Sequence, residues 1–105
     1  MDTQSSIRET LPAFGEAQAA YHGAIDSLQA PDRRTHELIR LACSVISRHQ
    51  IGVRRHAMLA AEMGATWEDI AGTLVLTQPS FGLVPAVEAL AAAREGFEEA
   101  AASQE

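Results

Sequence analysis

Lysine is absent from this 105-residue chain, and cysteine, tryptophan and tyrosine occur once each. All eight of its basic residues are therefore arginine, and 14 acidic residues bring the formal net charge to −6. Phosphate binding needs clustered cations, and the longest local cluster here is a short run such as Arg54-Arg55. We therefore expect no nucleic-acid partner.

Long apolar runs and cysteine pairs are also missing from the chain. No apolar stretch reaches the roughly 20 residues that a membrane helix needs, so we expect no membrane partner. The N-terminal segment has neither a cationic start nor a long apolar core, and it does not resemble a secretory signal. The single Cys43 cannot form an internal disulfide, which fits a reducing compartment and predicts a cytoplasmic protein.

What remains is the composition of one helical domain. Apolar residues make up 47% of the chain, and the high alanine content with few β-branched residues favours helix over strand. We expect a single domain over residues 1–105, with a core of about residues 12–97 and loose termini. Apolar periodicity predicts an all-α fold of five helices, give or take one, around a central helix pair. These helices lie at about residues 12–28, 33–47, 50–63, 67–76 and 83–97.

Local signals fix several of the helix ends. Asp32 is a favourable N-cap, Gly64 suits a left-handed stop, and Thr66 with Asp69 resembles a capping box. Apolar spacing also predicts which large side chains face the core. The prediction includes Ile51 and Met63 in the third helix, Val75 in the fourth, and Val87, Leu90, Ala91 and Phe97 in the last.

Three potential acid–base groups lie in the central helix pair, namely Glu37, His49 and His56. Glu37 and His56 lie on opposite sides of a helix break, so they can face each other across the pair. A carboxylate beside His56 would hold one ring tautomer and raise the basicity of the other nitrogen. His49 and His56 share a face if both lie on the second helix.

A metal site of two histidines and one carboxylate is an alternative use of these three groups. Seven residues along a helix axis, however, place the two imidazoles about 10 Å apart. We favour proton transfer and predict no metal.

Residues 31–93 resemble the carboxymuconolactone decarboxylase and AhpD-like alkylhydroperoxidase superfamily. The resemblance rests on the opening RRTHELIRLA (Arg33–Ala42), His56 followed by Ala60, Gly64-Ala65-Thr66 with Glu68 and then Ile70, and a later Gly82 with Pro85-Ala86. It covers about two thirds of the chain, in matching order and spacing.

The peroxidase branch of this superfamily resembles the pattern E-x11-C-x2-C-x3-H. Glu37 and His56 match its proton-relay ends, whereas the two cysteine positions fall on His49 and Gly52. The resemblance thus identifies a member without the thiol pair that peroxide reduction uses. A peroxidase acting through Cys43 stays open as an alternative, although we expect Cys43 to be a buried small hydrophobe.

The decarboxylase branch also lacks the cysteine pair, and its chemistry implies an enzyme without metal or organic cofactor. By this resemblance Glu37 and His56 would manage a proton, with His49 assisting, in a decarboxylase- or isomerase-like reaction on an acidic or lactone-like substrate. Arg48, Arg54 or Arg55 could hold a substrate carboxylate, and we single out Arg55.

The principal alternative is a non-catalytic oligomeric scaffold or a ligand-binding homologue. Apolar residues fall on several faces of the predicted helices, and members of the superfamily commonly form trimers or hexamers. We therefore predict a homo-oligomer as well as a small-molecule substrate.

Overall fold

The computed structural model describes residues 3–104, and all regular structure within them is helical. It confirms the predicted all-α class. The helices are α1 (Thr3–Thr10), α2 (Pro12–Asp26), α3 (Arg33–Ile46), α4 (Gln50–Glu62), α5 (Trp67–Leu76), α6 (Gln78–Phe81) and α7 (Leu83–Ser103). The five predicted helices correspond to α2, α3, α4, α5 and α7. Helix α1 lies in the N-terminal segment expected to be loose, and the one-turn α6 lies between the fourth and fifth predicted helices.

The predicted caps are present at the starts of α3 and α5. Asp32 Oδ1 accepts a hydrogen bond from the Thr35 backbone N–H at 2.9 Å. Thr66 and Asp69 form a reciprocal capping box, in which each side chain accepts from the other residue's backbone N–H at 3.1 and 2.9 Å. Gly64 has φ +97°, which is the left-handed conformation that ends α4.

The core lies where α3, α4, α5 and α7 meet. Its largest fully buried side chains are Leu41, Val45, Val53 and Ile70, and much of the rest is alanine. Gly96 lets α7 approach α4 closely, because a Cβ atom there would clash with the Arg54 carbonyl oxygen and lie 3.1 Å from the Met58 backbone nitrogen. Backbone contact of this kind leaves no room for larger residues.

Phe97 of α7 packs against the core as predicted, but Ala91 is exposed and the helix buries a different stripe along most of its length. Val87 and Leu90 are 58% and 49% exposed, and α7 instead buries a stripe of small residues. That stripe consists of Ala86, Ala89, Ala93, Gly96 and Ala100. The helix also continues to Ser103, beyond the expected end of the core, because Ala100 is buried.

The predicted core side chains elsewhere include three that are exposed. Ile51, Met63 and Val75 are 72%, 46% and 56% exposed. In α4 the buried face consists of Gly52, Val53, Ala57 and Ala60 instead. Small residues again occupy the space that faces a neighbouring helix.

Helices α1 and α2 form an N-terminal arm, defined here as residues 3–26. They contact each other at a bend, where Gly15 faces the Arg8 backbone, but α2 packs along its length on none of the described helices α3–α7. The arm is joined to α3 by residues 27–32. No helix among residues 3–104 has the length and apolar character needed to cross a membrane.

Candidate functional site

Glu37 and His56 are in direct contact across the α3–α4 pair. Nδ1 of His56 lies 2.9 Å from Oε2 of Glu37, and their side chains are 13% and 3% exposed. A carboxylate can only accept hydrogen bonds, so Nδ1 is the donor. This leaves Nε2 of the neutral ring as the nitrogen with the free lone pair.

Two arginines of α3 flank the other oxygen of Glu37. Arg33 Nη2 lies 3.7 Å and Arg40 Nη1 4.0 Å from Glu37 Oε1. They precede and follow Glu37 by about one helical turn, so the 3.6-residue repeat brings all three to one face. Their positive charges offset the burial of the carboxylate.

A cleft of about 410 Å³ opens beside this pair. Its volume lies within the range of small-molecule sites. Helices α2, α3 and α4 supply its walls, which consist of His22, Asp26, Arg33, Glu37, Arg40, Arg55, His56 and Leu59. Three arginines against two carboxylates give the lining a net charge of +1 with neutral histidines, whereas the whole chain carries −6. The cleft is thus a local cationic site in an acidic protein.

Of the three arginines proposed from sequence to hold a substrate carboxylate, only Arg55 lines this cleft. Arg48 instead forms two hydrogen bonds with Glu88, at 2.9 and 2.8 Å, and Arg54 pairs with Glu99 at 2.9 Å. No ion pair joins Arg55 to any residue that the structure describes. Arg55 is therefore available to an anionic ligand.

His49 lies outside the lining of the cleft beside the Glu37–His56 pair. It is the N-cap residue of α4 and is exposed. Its Nδ1 and the Ser44 Oγ lie 2.5 and 2.6 Å from the point where a Cβ of residue 52 would stand. Residues 49 and 52 correspond to the two cysteines of the peroxidase pattern, and here the imidazole of His49 fills the space beside Gly52.

The prediction that Cys43 is buried is wrong, because its side chain is exposed. The buried stripe of α3 includes Glu37, Leu41 and Val45, which follow each other at four-residue steps. Cys43 lies two residues from Leu41, or about 200° around the helix. It thus faces away from the side of α3 that carries Glu37.

The cleft contains four charged or titratable residues that the sequence reading did not select, namely His22, Asp26, Arg33 and Arg40. The i−4 and i+3 spacing of the two arginines from Glu37 was a usable signal for them. The other two belong to the arm, whose position no local pattern reveals. In residues 3–104, no three His, Cys, Asp or Glu side chains are grouped as a metal site would require.

Comparison with known proteins relates this fold and site to one family. A model of the carboxymuconolactone decarboxylase family matches residues 12–95. The crystal structure of an apo carboxymuconolactone decarboxylase family protein from Legionella pneumophila superposes with a TM-score of 0.75 at 26% sequence identity, over 91% of this chain and 85% of that one. A comparison with curated proteins gives no match. Since the family model spans most of the chain, this protein belongs to the carboxymuconolactone decarboxylase family.

Proposed function

We propose that this protein is a small-molecule enzyme in which Glu37 and His56 carry out acid–base chemistry without a cofactor. The observation that carries the proposal is the 2.9 Å hydrogen bond between them at the wall of a cationic cleft. The reaction is decarboxylase- or isomerase-like, and the substrate is an acidic or lactone-like molecule. In the decarboxylase case the enzyme is a lyase.

In this mechanism Arg55 binds a substrate carboxylate, and Glu37 orients the His56 ring through Nδ1. For a decarboxylation, the bond between the carboxylate carbon and the adjacent carbon breaks, CO₂ leaves, and the electron pair stays on that carbon as an enolate. For this step Nε2 of His56 first takes a proton from solvent, and the resulting imidazolium then donates that proton to the carbon and returns to the neutral ring. For an isomerisation, the same nitrogen removes and returns a proton. His49 lies outside the cleft lining, so the proposal gives it no part in proton transfer.

The cleft counts against two of the alternatives, a non-catalytic scaffold that binds no ligand and a peroxidase that acts through Cys43. A non-catalytic scaffold would need no ligand-sized space beside a buried Glu37–His56 pair, yet about 410 Å³ adjoins it. A peroxidase would need a thiol within reach of the pair, and no cysteine lines the cleft.

The decisive experiment measures turnover of lactone acids, beginning with carboxymuconolactone, by wild type and single variants. We expect His56→Ala to lower kcat by about 10²- to 10⁴-fold, which is the usual contribution of a positioned acid or base. Arg55→Gln should chiefly raise KM, while Arg54→Gln, an adjacent arginine paired with Glu99, should change neither constant. Turnover by His56→Ala at the wild-type rate would remove the proposed proton donor.

We further propose that the protein is a homo-oligomer, with a trimer or hexamer as the expected form. Its accessible surface of 6759 Å² exceeds the value of about 5,700 Å² expected for a compact monomer of this mass. Its radius of gyration, 14.9 Å, likewise exceeds the expected value of about 13 Å. The excess of about 1,000 Å² is similar to the area that each partner buries in a standard interface.

In this proposal a second copy of the chain covers the excess accessible surface. The arm exposes Leu11, Phe14 and Tyr21, and the start of α7 exposes Leu83, Val84, Val87 and Leu90. Apolar surface on both regions favours contacts that repeat between identical chains. Light scattering at two concentrations should give a mass that is a multiple of the 11.2 kDa monomer. A monomer at both concentrations would refute the proposed homo-oligomer.

We also propose a cytoplasmic location, because the single cysteine cannot form an internal disulfide and so fits a reducing compartment.

A further inference from the structure

Besides Glu37, the cleft contains a second carboxylate, that of Asp26. Asp26 is the last residue of α2, and its Oδ1 accepts a hydrogen bond from Arg40 Nη1 at 2.9 Å. Its backbone carbonyl accepts a second one from Arg33 Nη1 at 2.6 Å. Both arginines line the cleft beside Glu37, so the arm is attached at the place where an anionic ligand would enter.

Arg40 lies between two carboxylates that differ in how firmly they are held. Glu37 is 3% exposed and bonded to His56, whereas the Asp26 side chain is 52% exposed. Arg40 Nη1 is 2.9 Å from Asp26 but 4.0 Å from Glu37. An incoming anion can therefore replace Asp26 without disturbing the buried pair.

Within one chain, few contacts among the described residues hold α2 at the cleft. The arm does not pack along the described helices of the core, and Asp26 provides its hydrogen bonds to α3. Solvent-exposed ion pairs stabilise a structure only slightly, because water screens them. The contact between Asp26 and Arg40 is thus weak enough for a small carboxylate to displace.

We propose that Arg40 is a further anion-binding residue of the cleft, and that the Asp26 carboxylate is an internal competitor for it. The inference rests on the proposed function, which makes the cleft the ligand site. An anion bound by Arg55 that also reaches Arg40 displaces Asp26 and loosens the end of α2. Binding of the anion and attachment of the arm through Asp26 consequently compete for Arg40, so that each weakens the other.

The test titrates wild type and Asp26→Asn with succinate, a flexible dicarboxylate, at constant ionic strength. Binding is followed through the NMR signals of the arginine side chains. Asparagine removes the charge but keeps the backbone carbonyl that Arg33 uses, so the arm retains one of its hydrogen bonds. Because the lost pair is exposed, we expect the variant to bind succinate about two- to fivefold more tightly.

The matched control is Glu98→Gln, which removes one acidic charge and one exposed ion pair, with Arg94 at 2.8 Å, outside the cleft lining. It should leave succinate affinity unchanged. Equal or weaker binding by Asp26→Asn would overturn the inference and assign Asp26 to wall support alone. Equal tightening by both variants would overturn it as well, because the effect would then come from net charge.

A second measurement needs no variant. Saturating succinate should speed backbone hydrogen exchange in residues 27–32 of wild type, since release of Asp26 frees the segment that joins α2 to α3. Unchanged or slower exchange with succinate bound would contradict the coupling. Neither readout depends on turnover, so the inference can fail while the acid–base enzyme stands, and the reverse also holds.

Discussion

Helices α4 and α7 and the N-terminal arm use apolar residues in opposite ways. Between α4 and α7 the buried residues are small, including Ala57, Ala60, Ala93 and Gly96, and at Gly96 the backbones come close to contact. The arm carries larger apolar side chains, yet Phe14 and Tyr21 are 58% and 64% exposed.

This difference shows where the size of an apolar side chain affects packing within one chain. An alanine buries little area, so the α4–α7 contact relies on close fit, in which many weak dispersion contacts add up. The large apolar side chains of the arm and of the outer face of α7 gain nothing comparable within one chain. In the proposed homo-oligomer a second copy would bury them, so that fold and assembly would be disturbed separately.

The strongest test of the close contact is Gly96→Ala. A single methyl group there meets backbone atoms of Arg54 and Met58, which cannot rotate away as a side chain can. Overpacking costs about 1–3 kcal/mol, and we expect a loss near 3 kcal/mol in the free energy of unfolding. Urea unfolding at one fixed protein concentration measures it.

Gly72→Ala is the control for this substitution. Gly72 lies inside α5, and a Cβ there meets nothing within 4 Å. Alanine should therefore raise the stability by about 0.5–1 kcal/mol, because glycine lowers helix stability by that amount. If both variants changed stability equally, close contact would not distinguish α4–α7 from an open helix face.

The arm should respond in the opposite manner, with a large effect on assembly and a small one on the fold. Phe14→Ser removes an exposed aromatic side chain, and such residues are often the strongest contributors to an interface. A loss of about 2 kcal/mol would raise the dissociation constant roughly 30-fold. Sedimentation over a concentration range measures this constant, and circular dichroism should show unchanged helix content.

Glu16→Ser, about 200° around the same helix, is the matched control and should leave the dissociation constant unchanged. A Phe14→Ser protein that assembles as wild type does would show that Phe14 does not contribute to the interface. The arm's apolar surface would then need another partner.

The sequence predicts the helices well because their ends depend on local chemistry. Asp32 and the Thr66–Asp69 box act on backbone groups within three residues of themselves. The buried face of α7 could not be predicted in this way, since two apolar stripes alternate along it. Periodicity favours the larger Val87 and Leu90, but the narrow gap beside α4 admits only the alanines.

The residues of the candidate site also separate into those that local sequence predicts and those that depend on tertiary contacts. Contact between Glu37 and His56 follows from their spacing across the break between two adjacent helices. Arg33 and Arg40 follow from helical periodicity around Glu37 and could have been found. His22 could not, because the position of α2 depends on the hydrogen bonds of Asp26 with α3, which no periodicity encodes.

The smallest effect concerns the junction between arm and core, where Asp32 caps α3. The hydrogen bond that the Asp32 side chain accepts from the Thr35 N–H holds the pKa of Asp32 below its usual value of 3.8. The positive charge of Arg34 lowers this pKa further, by a lesser amount. Because the folded-state pKa is the lower one, the stabilisation is present above pH 3.8 and is lost as the pH falls through the folded-state value. The cap should therefore weaken only in acid.

Asp32→Asn separates this titration from that of the other carboxylates, since asparagine caps a helix but carries no charge. At pH 7 wild type should be slightly more stable, because a negative charge favours the start of a helix. Urea midpoints measured from pH 5 to pH 2 should show that advantage disappearing, as all other acids titrate in both proteins. Midpoints that fall in parallel would mean that the charge of Asp32 contributes nothing. Asp32 would then cap α3 only through the hydrogen bond that it accepts from the Thr35 N–H.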